Sequence, residues 1–302
     1  MSSPPPPGPD HGGSSWSSDP WAGRGGTTPV PPLGDPLIPP NFSGWFDRVV
    51  GVVRRSWQPL LAIQLASAVV TGLTFHFVVP EITVAADGTL RGPGGVPLTP
   101  APDGTGGLEG FDLFRVLLAL TVLLVALAFA WTTSIYAVIR DAAGKPFTAD
   151  AAMRFAASRA ALLIGWIVVA FILIMLGFAL LVIPGIFLTI FFYTTLLGVV
   201  TVERGTIARC FQLAGPRMLP AMGRMTLALA ANIAYQVVGG FVVRALSEPN
   251  SLSESLLAGV VSVPAGIAMV AVVVVIYAEL RFHENGTART STLADELERV
   301  ER

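Results

Sequence analysis

The chain has 302 residues, 53% of them hydrophobic and only 13% charged, with a mean hydropathy of +0.67. A charged fraction about half that of an ordinary soluble domain argues against a globular cytosolic fold. A net charge of −1 with no domain-sized basic face argues against nucleic acid as a partner, and a lone cysteine rules out an internal disulfide.

Residues 1–41 are built from Pro, Gly, Ser, Asp and a few Trp, as in Ser3-Pro4-Pro5-Pro6-Pro7-Gly8-Pro9. Such a segment buries too little apolar area to offset its ordering entropy, so it is predicted to be a disordered cytoplasmic tail. It is not a signal peptide, because Arg24 is its only cation and no run of about 7 to 15 apolar residues follows. The proline run could dock on an aromatic groove of a protein partner as a polyproline II helix, although a plain linker is the simpler reading.

Residues 42–283 carry six apolar segments, at 57–79, 114–139, 160–183, 186–202, 225–243 and 256–280. Each is long enough to cross about 30 Å of hydrocarbon at about 1.5 Å per residue, the fourth only just so. An all-α polytopic bundle is the expected fold class. Arg48, Arg54, Arg55, Arg140, Lys145, Arg154, Arg159, Arg204, Arg209, Arg217, Arg224 and Arg281 all fall on the same side of these segments. The positive-inside rule then puts both termini in the cytoplasm. Lys145 is the only lysine among 19 basic residues, a bias typical of a GC-rich bacterial genome, so the membrane is expected to be the bacterial inner (plasma) membrane.

The external loop 80–112 is rich in Gly and Pro, with Asp87-Gly88 and Asp103-Gly104 as turn signals and a small hairpin expected across residues 82–91. Glu81, Asp87, Asp103 and Glu109 lack the alternation of a calcium loop, so no metal is expected there. The run from 160 to 202 is too long for one crossing, and Pro184-Gly185 near its middle is expected to make a tight external turn.

Three similar stubs, 42–55, 147–159 and 205–217, precede the first, third and fifth segments, the last one interrupted by Pro216. Each opens near a Ser or Thr able to cap a helix. In the first, Trp45, Val49, Val52, Phe46 and Val53 share one helical face, and Ser43, Asp47, Arg48, Arg54 and Arg55 another. The unit of stub, span, external turn and span thus repeats three times, giving three hairpins, each preceded by a short interfacial amphipathic helix. Arg48, Arg54, Arg55, Arg154, Arg159, Arg209 and Arg217 are expected to reach phosphates of membrane lipids from these stubs. Residues 284–302 form a short cytoplasmic tail.

Charged groups deep in a span mark transport paths, and none lies near mid-span. The most polar interior positions are Asn232 and Gln236, one helical turn apart in the fifth span. Helix-to-helix hydrogen bonding is the favoured reading for them, ahead of a small-molecule or headgroup site. Walker, Gly-x-Ser-x-Gly, His-Glu-x-x-His and Cys-x-x-Cys signatures are absent, and His11, His76 and His283 are scattered. No catalytic residue, cofactor or metal is therefore expected.

Several short stretches carry a resemblance: 46–57 before the first span, Ile183-Pro184-Gly185-Ile186, Val202-Glu203-Arg204-Gly205 with Ala208 and Arg217 behind it, and Ile276-Tyr277-Ala278-Glu279-Leu280-Arg281 ending in Glu284-Asn285-Gly286. Over about 42–286 the chain resembles the glycerophosphoryl diester phosphodiesterase membrane-domain family, including uncharacterised actinobacterial relatives with Pro-rich tails. The resemblance implies a six-helix membrane module that some relatives fuse to a soluble phosphodiesterase barrel. No barrel-length segment follows the sixth span here, so the family's catalytic residues have no counterparts to carry over. The resulting expectation is a non-enzymatic scaffold or accessory factor in envelope or lipid metabolism. The alternative is a transporter or lipid-handling permease with a polar site between spans one, five and six.

Overall fold

The computed structural model describes residues 34–78, 83–84, 90–91, 110–249 and 251–301. The greater parts of the expected disordered tail and of loop 80–112 lie outside these residues. Eight α-helices run through the rest: α1 (Phe42–Phe77), α2 (Gly110–Ala142), α3 (Ala149–Leu180), α4 (Val182–Gly198), α5 (Ile207–Ala214), α6 (Met218–Leu246), α7 (Leu252–Asn285) and α8 (Thr290–Glu301). A π-helical turn, Val199–Glu203, extends α4. Six of these helices are long and apolar enough to cross a membrane. They pair as the hairpins α1–α2, α3–α4 and α6–α7. Within the loop, Thr83 and Val84 pair antiparallel with Arg91 and Leu90, where the hairpin was expected.

The spans do not share burial equally. About two thirds of the most apolar window is buried in α4 (67%) and α7 (61%), against 11–22% in the other four, so α4 and α7 form the interior. The outer spans turn Phe, Leu and Val outward to lipid. α7 packs most extensively on α1, and small residues allow it. A Cβ at Gly259 would lie 2.8 Å from the Ala68 carbonyl oxygen, and one at Gly72 would lie 2.9 Å from that of Ser255. Pro264 leaves α7 continuous.

The first stub is joined to its span within α1, with a kink at Ser56 (φ −100°, ψ 15°), three residues before Pro59. The proline lacks an N–H and its ring crowds the preceding turn, which explains the break. Asn41, rather than a Ser, caps α1 by accepting from the Gly44 N–H at 2.8 Å. The second stub runs into α3 without interruption and is capped by Thr148. The third alone is a separate helix, α5, ended by Gly215 (φ 31°) and a 3-10 turn through Pro216.

Three expectations need correction. The apolar face of the first stub is not laid wholly on headgroups, since Trp45, Val49 and Val52 are buried in the protein core, whereas Phe46 of the same face stays 60% exposed. The α3–α4 break falls at Leu181 (φ −161°, ψ 146°), three residues before Pro184. Pro184 sits instead in the first turn of α4, where its missing N–H costs nothing, and Gly185 lets α4 approach Gly177 and Phe178. Finally, the last residues of segment 1–41 are docked. Leu37 and Ile38 have no exposed surface, and Asp35 accepts from the Thr290 N–H (3.1 Å) and hydroxyl (2.5 Å) at the start of α8.

Candidate functional site

The Asp35–Thr290 contact brings both described ends of the chain to one end of the bundle, and the buried charges collect there. Glu203, closing the π-helical turn, accepts from Arg209 Nε at 2.6 Å and from the Tyr277 hydroxyl at 2.8 Å. Arg209 also makes a two-pronged contact with Glu284, its Nη2 lying 2.7 Å from Oε2. Arg281 reaches Glu296 at 2.6 Å and lies 3.5 Å from both Glu203 and Glu284. One network therefore ties α5, α7, α8 and the turn after α4. Arg204 adopts a left-handed conformation (φ 54°) and reverses the chain so that α5 folds back onto this network.

Further pairs lock the remaining helices. Arg224 of α6 and Glu279 of α7 form a buried ion pair, with His283 Nε2 4.0 Å from Glu279 Oε1 and Phe42 under the Arg224 guanidinium at 5.9 Å. Lys145 contacts Asp295 (2.6 Å) and Glu298 (2.9 Å), and Arg140 contacts Glu298 (2.6 Å), fixing α8 to α2. Asp141 accepts from Ser56 at 2.5 Å and Arg55 at 3.1 Å, bridging α2 to the α1 kink. The hydrogen bonds from Lys145 hold the Asp295 and Glu298 carboxyls below their ordinary range, and the same contacts raise Lys145. Burial pushes Glu296 up despite Arg281. Paired with Glu284 and Glu203, Arg209 holds its proton more firmly than a free arginine. Cys210 is buried, and desolvation pushes its thiol up to about 11.

Arg159 is the exception. It has no exposed surface, none of its three guanidinium nitrogens has a hydrogen-bond partner among the described residues, and it lies over the Phe155 ring at 5.4 Å. It is thus enclosed by protein rather than reaching headgroups, contrary to its expected role. The other stub arginines vary. Arg54 is exposed, Arg154 is exposed and paired with Asp150 at 2.9 Å, and Arg48 is half-buried with its Nε enclosed and unpartnered. Arg217 is half-buried and lines a cleft of about 210 Å3 with Gln212, Leu213, Leu280, His283 and Glu284. A shallower cleft of about 310 Å3 lies by Val202, Glu203, Arg281, Glu296 and Arg299.

Asn232 and Gln236 do not come together with α1. They lie on α6, which packs on α7 and α4; Asn232 is half-exposed, Gln236 is exposed, and neither side chain has a hydrogen-bond partner among the described residues. Tyr235 beside them donates to the Val261 carbonyl at 2.8 Å. Gln64 instead reaches across the interior to Ser134 at 3.4 Å, a helix-to-helix bond of the kind expected. No group of three or more His, Cys, Asp or Glu side chains among the described residues is placed to hold a metal ion.

The acids Glu203, Glu279 and Glu284 were missed as a group because each reads alone as a marker of the water boundary, and Glu296 because it lies in the short tail after the last span. Their signal was that carboxylates accompany the arginines at the same ends of the spans. The fold and this charge-knit end define a helical, multi-pass integral membrane protein. No family model, no curated protein and no solved structure matches the chain.

Proposed function

We propose that the protein is a non-enzymatic scaffold or accessory factor of the bacterial plasma membrane, serving envelope or lipid metabolism, with both termini cytoplasmic. The observation that carries this reading is the contrast between the two regions of the bundle. Most of its charges gather at one end, many in pairs that clamp neighbouring helices together, while the polar candidates of the spans either bond helix to helix, as Gln64 does, or face outward, as Gln236 does. A rigid platform with a charged end suits holding partners, whereas a carrier needs a polar path and mobile halves. The resemblance to the phosphodiesterase membrane-domain family belongs to the same proposal and supports a membrane module without chemistry of its own.

Crosslinking and affinity capture of the tagged full chain, with identification of co-purified proteins and lipids, tests the role. Specific partners are the expected result, and substrate flux in proteoliposomes without partners would overturn it. Orientation is tested by labelling cysteines placed at Gly94 and Ala151 in intact cells, because buried Cys210 leaves the background silent. Labelling of Gly94→Cys only after permeabilisation would reverse the assignment.

A further inference from the structure

We propose that the cleft between α5, the 3-10 turn at residues 215–217 and α7 binds a phosphate-bearing anion, supplied by the headgroup of an anionic phospholipid. This deepens the scaffold reading and rests on its placing this end of the bundle at a membrane surface.

The cleft of about 210 Å3 holds one arginine with no carboxylate among the described residues paired to it, Arg217, although with Arg217 counted the four arginines Arg209, Arg217, Arg224 and Arg281 equal in number the four carboxylates Glu203, Glu279, Glu284 and Glu296. Arg209 is matched by Glu203 and Glu284, Arg281 by Glu296, and Arg224 by Glu279. Glu284 lines the cleft, but its charge is occupied by the two-pronged contact with Arg209. Arg217 lines it as well, half-buried, and no carboxylate among the described residues pairs with it. The turn through Gly215 and Pro216 fixes its position at the junction of α5 and α6. Gln212 adds amide donors and His283 an imidazole on the same walls. A planar guanidinium with free donors beside neutral donors is the arrangement that grips a phosphate through charge-assisted bonds.

The apolar surroundings favour a lipid as the source. Leu213 and Leu280 are apolar walls of the cleft, and close by along the chain Phe211, stacked on Phe191 at 4.4 Å, is 50% exposed and Leu219 is 74% exposed. A lipid whose phosphate met Arg217 would lay its glycerol and acyl chains over such side chains, whereas free phosphate would gain nothing from them.

Native mass spectrometry of the full chain, released from nanodiscs of phosphatidylglycerol or of phosphatidylcholine, tests the proposal. Phosphatidylglycerol adducts are expected to persist and phosphatidylcholine adducts to be lost. Arg217→Gln should cut phosphatidylglycerol retention roughly tenfold, the scale of one charge-assisted contact. Arg217→Lys should retain part of it, and Arg244→Gln, near the opposite end of α6, should retain all of it. Melting of Arg217→Gln in detergent without lipid, unchanged from wild type, separates loss of the site from loss of the fold. Equal retention of the two lipids, or a wild-type result for Arg217→Gln, overturns the site. Saturation by inorganic phosphate that phosphatidylglycerol does not enhance overturns the lipid source. Partner capture that survives Arg217→Gln while lipid selectivity disappears from wild type as well would sink this site and leave the scaffold reading standing.

Discussion

Gly198 stands directly against the ring of Tyr277: a Cβ at position 198 would lie 2.4 Å from Cδ2 and 2.5 Å from Cγ. The ring is itself held at its far end, where its hydroxyl donates to Glu203 at 2.8 Å. Neither partner is free to yield, since α4 and α7 are the two most enclosed spans. Gly198→Ala should therefore destabilise the protein by about 1–3 kcal/mol through overpacking. Tyr277→Phe, which removes only the hydrogen bond, should follow the same direction without a steric clash. Melting temperatures in one detergent compare the two, and a wild-type value for Gly198→Ala would refute the contact.

Arg159 holds a charge with no counterion in a site closed to water. An enclosed guanidinium with three unpartnered nitrogens is a cost rather than a contribution, offset in part by the Phe155 ring beneath it. Arg159→Met keeps the unbranched apolar stem of the side chain and removes the charge, and it should raise stability by about 1–3 kcal/mol. Thermal melting measures this, and a lower midpoint for Arg159→Met would mean that the charge is compensated in the membrane.

Much of the architecture was legible because the membrane imposes a length on each span. Six apolar runs and one-sided arginines suffice to place the spans and to pair them as hairpins. What the pattern does not carry is which arginine meets lipid and which meets protein. Arg54 and Arg159 look alike along the chain, yet one is exposed and the other enclosed, because that depends on whether another helix lies over the same face. The docking of Leu37, Ile38 and α8 was illegible for the same reason: a few apolar residues in a polar tail gain meaning only from the surface that receives them. Pro184-Gly185 misled by three residues since proline is as welcome in a helix's first turn as in the turn before it.

The contact of α8 with α2 should depend on pH and salt. Asp295 and Glu298 have folded-state pKa values below their ordinary ones, so their contribution is present above the unfolded carboxylate range and lost as pH falls through the folded values. Lys145 is raised, so its part is present below its ordinary value of 10.5 and lost only as pH rises through the folded one. Glu296 runs the other way, because burial makes its folded carboxyl bind a proton more readily than the unfolded one. Docking should thus hold from mildly acidic to alkaline pH and loosen below the carboxylate range. Hydrogen exchange of α8 amides reads this out, and faster exchange in about 1 M salt at neutral pH is expected as well, since the Lys145 pairs are exposed enough to be screened. Exchange unchanged by acid and salt alike would place the hold in Leu293, Ala294 and Leu297 alone.

The Arg224–Glu279 pair behaves differently, being buried at side-chain exposures of 10% and 11%. Salt should leave it untouched, but removing one partner strands the other in a poorly solvated place. Glu279→Gln leaves Arg224 with its charge and should cost about 3–5 kcal/mol, whereas replacing both residues by Met should recover most of that loss, because two apolar side chains need no counterion. His283, 4.0 Å from Glu279, adds no compensation in the single variant, since a charged imidazole would only deepen the imbalance. A double-mutant cycle on melting midpoints measures the coupling. Additive losses, with the double variant less stable than either single one, would show that the pair does not hold α6 to α7.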